Sequence, residues 1–238
     1  MILNAFNKYF WSKTNKVVTS AEEAISGLQS GQFLFFGGFG ICGIPMNLIN
    51  AISRAKVEGL TIASNDGGAA DIYGDNAWGL EFLFKNGQVK RMISSYLGYN
   101  KHYESLYLSG ELELEFCPQG TLAEKIRSGG AGIPAFYTRT GVDTLVEKGG
   151  IPIKFIPGTQ IPEILSAPKE IKFINGQKFL LEETYFSDYS FVKAQKADRY
   201  GNLVFNKSAR NFNQDMSKAA KCVVAEVEEL VDGYIDPL

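Results

Sequence analysis

The chain has 238 residues with 45% apolar and 21% charged side chains, enough apolar material for a packed core of ordinary globular type. Its formal charge of −2 supplies no basic field for nucleic acid, and no apolar run approaches the roughly 20 residues of a bilayer-spanning helix. The three cysteines, Cys42, Cys117 and Cys222, are too far apart for a disulfide framework or a zinc knuckle, and the lone His102 cannot build a histidine metal cluster.

Residues 1–16 read either as an N-terminal arm or as a mitochondrial presequence. The first 21 residues hold three lysines and no acid, with Phe6, Tyr9, Phe10 and Trp11 among them, but they lack the arginines typical of such a leader. Ser20, with Glu23 three residues on, resembles a capping box and predicts a helix through Ile25 and Leu28, ended by Gly31. Phe33-Leu34-Phe35-Phe36 reads as a fully buried strand. A helix opened by Pro45 repeats Leu48, Ile49 and Ile52, and Leu60-Thr61-Ile62-Ala63 is the next strand, completing a parallel crossover.

Between the first strand and its helix lie Gly37-Gly38-Phe39-Gly40-Ile41-Cys42-Gly43. A glycine-dense strand-to-helix turn brings bare backbone N–H groups against a ligand, and helix-end amides favour a phosphate or carboxylate. The polar stretch from Asn65 to Gly79 is too long for a tight turn and is a second candidate carrier of site residues.

Residues 89–97 then read as a strand and residues 103–108 as a short helix, preceded by His102 as a solvated surface histidine. Glu111, Glu113 and Glu115 alternate with apolar residues and share one strand face. A carboxylate cluster for metal is conceivable there, but nothing pairs those acids with another ligand, and a solvated face is the plainer reading. Pro118-Gln119-Gly120 breaks that strand, and Thr121 with Glu124 predicts a capped helix through Arg127, ended by Gly129-Gly130. Residues 150–170, punctuated by Pro152, Pro157, Pro162 and Pro168, read as a surface excursion. From Phe179 onward β-rich runs dominate, two of them joined by a turn at Asp198-Arg199-Tyr200-Gly201-Asn202.

The glycine turn admits two functional readings. Gly38-x-Gly40-x-x-Gly43 matches the dinucleotide-binding fingerprint, with Asp66 closing the next strand where a ribose-binding acid is expected, which would make the protein an NAD-dependent oxidoreductase. The other reading comes from a resemblance. Leu34 to Pro45 resembles the N-terminal signature of the family I coenzyme A transferases: an apolar triplet, Gly-Gly-Phe, three residues, glycine, any residue, proline. Lys90-Arg91-Met92-Ile93-Ser94-Ser95-Tyr96, Pro118-Gln119-Gly120-Thr121-Leu122-Ala123-Glu124, Gly129-Gly130-Ala131-Gly132-Ile133-Pro134 and Ala209-Arg210-Asn211-Phe212-Asn213 resemble further family blocks in the same order. Within the family they are most similar to the α subunit, or N-terminal half, of transferases acting on succinyl-CoA and a 3-oxoacid such as acetoacetate, enzymes of ketone-body metabolism. The insertion at 150–170 is more like the mitochondrial, fused form.

The resemblance implies an α/β fold with an open, mostly parallel sheet, helices on both faces and a β-rich C-terminal part, in one domain over residues 17–238 that is truncated at its C-terminal end. It implies coenzyme A as a substrate, with no permanently bound cofactor and no metal. The attacking glutamate of such enzymes lies in a Ser-Glu-Asn-Gly motif of the β subunit or C-terminal half, and this chain has no such motif. The chain is therefore expected to hold no catalytic nucleophile and to be inactive without its β half, in a heterotetramer or a homodimer of fused chains; the non-enzymatic alternative is a catalytically incomplete half that serves only as an assembly partner. Its own share would be a wall of the cleft for CoA thioesters and small carboxylates: residues 37–43, Asn65, Asp66 and Gln119. The expected location is the mitochondrial matrix, otherwise the cytoplasm. Two departures stand out. Asp66 replaces a second family asparagine and puts an acid where acids should bind, and Met46 replaces a glutamate that would favour the first helical turn.

Overall fold

The computed structural model describes residues 2–5, 15–69, 77–98 and 100–236. Most residues on which the presequence reading rests lie outside these, as do residues 70–76 of the long polar loop.

The main sheet is built from β1 (Ile2–Ala5), β2 (Val17–Val18), β3 (Phe33–Phe36), β4 (Leu60–Ala63), β5 (Val89–Ser94) and β6 (Glu113–Phe116), then, far along the chain, β12 (Ser187–Ala197), β13 (Leu203–Val204) and β14 (Ala220–Leu230). Its order is β2-β1-β14-β12-β3-β4-β5-β6, with β13 against β12. The run from β14 to β6 is parallel throughout, and β1, β2 and β13 attach antiparallel. Strands β4 to β6 grow away from β3 on one side, whereas β12 returns to its other side. The strand order therefore reverses at β3, and in such sheets ligands bind beyond the carboxyl ends at that point.

The β3 sequence explains its central place. Leu34 and Phe36 enter one core cluster and Phe35 the other, so this strand is apolar on both faces, as a covered parallel sheet requires. The first cluster holds side chains of α1 (Ala21–Ala24), α2 (Met46–Arg54), α3 (Glu81–Lys85) and α4 (Lys101–Leu108). The second takes Leu122 and Ile126 of α5 (Gln119–Gly130) and Met216 of α7 (Asn213–Met216).

Several local expectations are corrected. Helix α1 is capped by Ser20 as expected but stops at Ala24 instead of reaching Leu28, the chain tightening into i→i+3 turns in which Ser26 N donates to Glu23 O and Leu28 N to Ile25 O. Strand β5 ends at Ser94, short of Leu97, and β6 begins only at Glu113. Helix α5 begins at Gln119, so Thr121 sits inside its first turn, buried and with no partner for its hydroxyl, instead of capping it. His102 keeps 37% of its side chain exposed, in line with a surface histidine, but it is not unpartnered: its Nδ1 lies 2.9 Å from Oε1 of the fully buried Glu81.

The excursion is more structured than its prolines suggest. Within it β8 (Pro152–Phe155) pairs with β9 (Pro162–Leu165), and it is flanked by an antiparallel sheet of β7 (Ala135–Thr138), β10 (Ile171–Ile174) and β11 (Gln177–Glu183), with the short helix α6 (Leu145–Lys148) between β7 and β8. It is fastened to the core by two charged groups of residues. Arg91 bonds the Glu115 carboxylate, which also accepts the Tyr185 hydroxyl at 2.9 Å. Burial pushes the Glu115 carboxyl up, but the hydrogen bonds from Arg91 and Tyr185 outweigh it and hold the group below its ordinary range. The glutamates of β6 thus serve an arginine.

The second fastening is buried. Lys125 Nζ of α5 sits 2.7 Å from Glu182 Oε2 and lies over the Tyr185 ring, and Lys169 approaches the same carboxylate at 2.9 Å. Removing one partner of a buried pair leaves the other charge uncompensated, at a cost of about 3–5 kcal/mol. Glu182→Leu should therefore lower the unfolding free energy by about that amount in a denaturant titration. A loss below about 1 kcal/mol would mean that Lys125 finds water or another acceptor.

Candidate substrate site

The carboxyl ends of β3, β4, β5 and β6 all open on one edge of the sheet. After β3 the chain leaves the ladder at Gly37, whose N–H still bonds Phe191 O at 2.9 Å. Phe39 and Cys42 then exchange both backbone hydrogen bonds at 3.0 Å, making a tight hairpin with Gly40 and Ile41 at its tip. Gly40 has φ +58°, the left-handed backbone such a tip needs. Phe39 and Ile41 stand about half exposed, at 48% and 46%, and Cys42 is exposed too.

After β4, Ser64 ties back to Phe36 O at 2.9 Å, and the buried Asn65 and Asp66 follow. Asp66 Oδ2 accepts the Gly40 N–H at 3.0 Å and the Asn65 amide at 2.8 Å, and its Oδ1 accepts the Gly68 N–H at 3.0 Å. Asn65 Oδ1 accepts Gln119 Nε2 at 2.7 Å and, at 3.3 Å, the Ser95 hydroxyl. Gln119, Asn65, Asp66 and Gly40 thus form one unbroken hydrogen-bonded chain across three strand ends. The structure brings together the polar residues that the sequence nominated, and it explains Asp66: the acid clamps the hairpin tip to the β4 loop.

The amides opening α2 are not free for an anionic ligand. They already carry a carboxylate, that of Glu226 on β14, which accepts Asn47 N at 2.8 Å and Leu48 N at 3.3 Å and is paired with Lys193 Nζ at 3.2 Å. Glu226 supplies from another strand the acid that Met46 removes from this turn. The same carboxylate occupies the position a dinucleotide pyrophosphate would need, and the Asp66 oxygens are engaged with N–H groups instead of facing a ribose. What remains is the opening of α5. No side chain caps it, nothing would meet a Cβ at Gly120, and Gln119 is its first residue. In the hairpin after β3, the N–H groups of Gly38, Ile41 and Gly43 have no protein acceptor among the described residues.

Reading the sequence missed four contributors: Ser95 beneath Asn65, Glu226 beneath α2, and Asn211 and Asn213 behind the glycine turn. Glu226 was detectable as a lone acid inside the apolar run Val223-Val224-Ala225-Glu226-Val227, since a buried acid needs a donor set. The asparagines stood within a block noted for its resemblance, but their partners are far away in sequence.

The family described as "Coenzyme A transferase" matches residues 18–238. The chain is 48% identical to the mitochondrial succinyl-CoA:3-ketoacid coenzyme A transferase 2A of Rattus norvegicus over 91% of its own length and 40% of that protein. It is 45% identical to one subunit of the succinyl-CoA:3-ketoacid coenzyme A transferase of Helicobacter pylori, over 94% of this chain and 86% of that subunit. The chain thus spans about two fifths of the mammalian relatives and most of the bacterial one. Among solved structures, glutaconate coenzyme A-transferase of Acidaminococcus fermentans aligns with TM-score 0.67 at 19% identity, over 90% of this chain and 67% of that one. An acyl-CoA transferase of Escherichia coli O157:H7 aligns with TM-score 0.68 at 18% identity, over 92% and 43%. These two likenesses show a shared fold.

Proposed function

Since the chain belongs to the coenzyme A transferase family, we propose that it is the α half of a 3-oxoacid CoA-transferase, moving CoA from succinyl-CoA to a 3-oxoacid such as acetoacetate in ketone-body metabolism. Its partner is a β subunit or C-terminal half that supplies the attacking glutamate, in a heterotetramer or a homodimer of fused chains. CoA enters as a substrate and no cofactor stays bound. The mitochondrial relatives support a place in the mitochondrial matrix.

One observation carries this reading: Gln119, Asn65 and Asp66 converge with the glycine hairpin in a single hydrogen-bonded chain at the reversal point of the sheet. Gln119 and Asn65 are neutral amides with one N–H each to spare, suited to orient a carboxylate or the oxyanion of a thioester under attack. The uncapped opening of α5 adds a favourable field for that negative charge. Asp66 acts indirectly, by fixing the hairpin over the pocket. The exposed Phe39 and Ile41 give that hairpin an apolar rim that keeps water from the reacting thioester.

The NAD-dependent alternative is not supported, because its two landmarks, the α2 opening and Asp66, are both engaged internally. Calorimetric titration of the assembled protein separates the two: succinyl-CoA should bind and NADH should not. Binding of NADH with no binding of the thioester would contradict the proposal.

A further inference from the structure

We propose that Asn213 is a positioning residue that shapes the glycine turn from behind, by peeling the chain off the sheet at Gly37 and pinning it again at Gly43. The inference rests on the reading of this turn as part of the substrate cleft, and it names what sets the turn's geometry.

β3 and β12 run parallel with Phe36 beside Phe191, and Gly37 donates to Phe191 O. Continued for one more step, a parallel ladder would place the Lys193 N–H on the Gly37 carbonyl. Instead, Lys193 N donates to Asn213 Oδ1 at 2.9 Å. The side-chain amide takes over the strand's next hydrogen bond, so the backbone is free to turn away. On its other side, Asn213 Nδ2 donates to Gly43 O and Ala209 O at 3.0 Å each. Asn211, 3.2 Å away through its Oδ1, donates to Cys42 O at 3.1 Å. Asn213 is fully buried, so these bonds compete with no bulk water.

The glycines record the same contact from the opposite direction. A Cβ on Gly37 would lie 1.9 Å from Asn213 Oδ1, and one on Gly43 would lie 2.7 Å from Asn213 Nδ2. Gly37 is not among the positive-φ glycines, so its own backbone does not call for glycine. The need there is steric and comes from Asn213.

That dependence gives a test that loss of general stability cannot imitate. Gly37→Ala alone should damage the turn severely, because the new methyl has no room. In an Asn213→Ala background the side-chain atoms at 1.9 and 2.7 Å are gone and only the Asn213 Cα at 3.3 Å stays close, so the double variant should behave nearly like Asn213→Ala alone. The double-mutant cycle should then depart from additivity by about tenfold or more in kcat/KM of the assembled transferase. Asn213→Ala by itself should cost about 100-fold in kcat/KM, as a misplaced binding loop does.

A second readout uses the isolated chain. A spin label on Cys42, the exposed member of three cysteines, should tumble about threefold faster in Asn213→Ala than in the parent. The buried Cys117 and Cys222, whose thiols burial pushes up to about 12, should stay unlabelled. Strict additivity of the two substitutions, or a label whose mobility is unchanged, would overturn the proposal. So would reaction of all three thiols in Asn213→Ala, which would make Asn213 a residue of the fold at large. Should the parent assembly show no transferase activity, the functional reading fails on its own, while the label and the thermal version of the double-mutant cycle still decide the role of Asn213.

Discussion

Gln119→Ala should lower kcat/KM of the assembled transferase by about 10²–10³, with most of the loss in kcat, the usual consequence of removing one preorganised oxyanion donor. The side chain does two jobs at once. Its Nε2 reaches Asn65 Oδ1 at 2.7 Å, which leaves its second N–H for the ligand beside the open end of α5. Truncation removes that donor and leaves Asn65 Oδ1 with only the Ser95 hydroxyl at 3.3 Å, so the Asn65 amide is held mainly by its own bond to Asp66. Gln119→Glu keeps the size but sets an acceptor against Asn65 Oδ1 and a charge against the substrate carboxylate, and it should be at least as damaging. Initial-rate kinetics with both substrates varied would show this. A loss below about threefold in both variants would mean that the oxyanion is held elsewhere.

Asp66→Asn carries the second large effect, and it pulls in two directions. The carboxylate accepts three N–H groups, from Gly40, Asn65 and Gly68. An amide in the same place has one oxygen and must aim its NH2 at one of those donors, which leaves a buried donor unsatisfied at about 1–3 kcal/mol. The melting temperature of the isolated chain should fall accordingly. Removing the negative charge should, however, help an anionic acceptor. Two unit charges about 6 Å apart at an effective dielectric near 20 repel by roughly 3 kcal/mol, so even a third of that would lower KM for the acceptor by about fivefold. The expected signature is a less stable protein with a lower acceptor KM whose advantage shrinks as salt is added. An unchanged KM at low salt would show that the Asp66 carboxylate is screened from the acceptor by its three donors.

The sheet was legible where composition left one choice. Phe33–Phe36 is apolar at every position, which only a strand covered on both faces accommodates, and Leu60–Ala63 after a short apolar helix completes the crossover. The Asp198–Asn202 turn was equally plain, and it joins β12 to β13 as expected. Legibility failed where a local pattern was overruled from afar. Pro45 correctly announced α2, but its anion, Glu226, comes from the other end of the chain. Thr121 and Glu124 looked like a cap, yet Pro118 starts the helix earlier and Glu124 turns to Arg127 instead. His102 stands in a polar stretch and stays partly exposed, but its partner Glu81 opens α3, 21 residues away, so the pairing could not be read locally. Asn65, Asp66 and Gln119 were nominated by resemblance, and only the folded chain shows why they belong together: the first two follow β4 and the third follows β6, two strands of one parallel sheet with β5 between them.

The central claim is a division of labour, in which this chain orients the substrates and a second polypeptide segment attacks them. The most direct test measures acetoacetyl-CoA formation from succinyl-CoA and acetoacetate by this chain alone, by a matching β half alone, and by the two mixed. The mixture should turn over while each component alone stays at background, and borohydride trapping should place the glutamyl thioester on the β half. Turnover by this chain alone, or a trapped thioester on one of its own glutamates, would contradict the account.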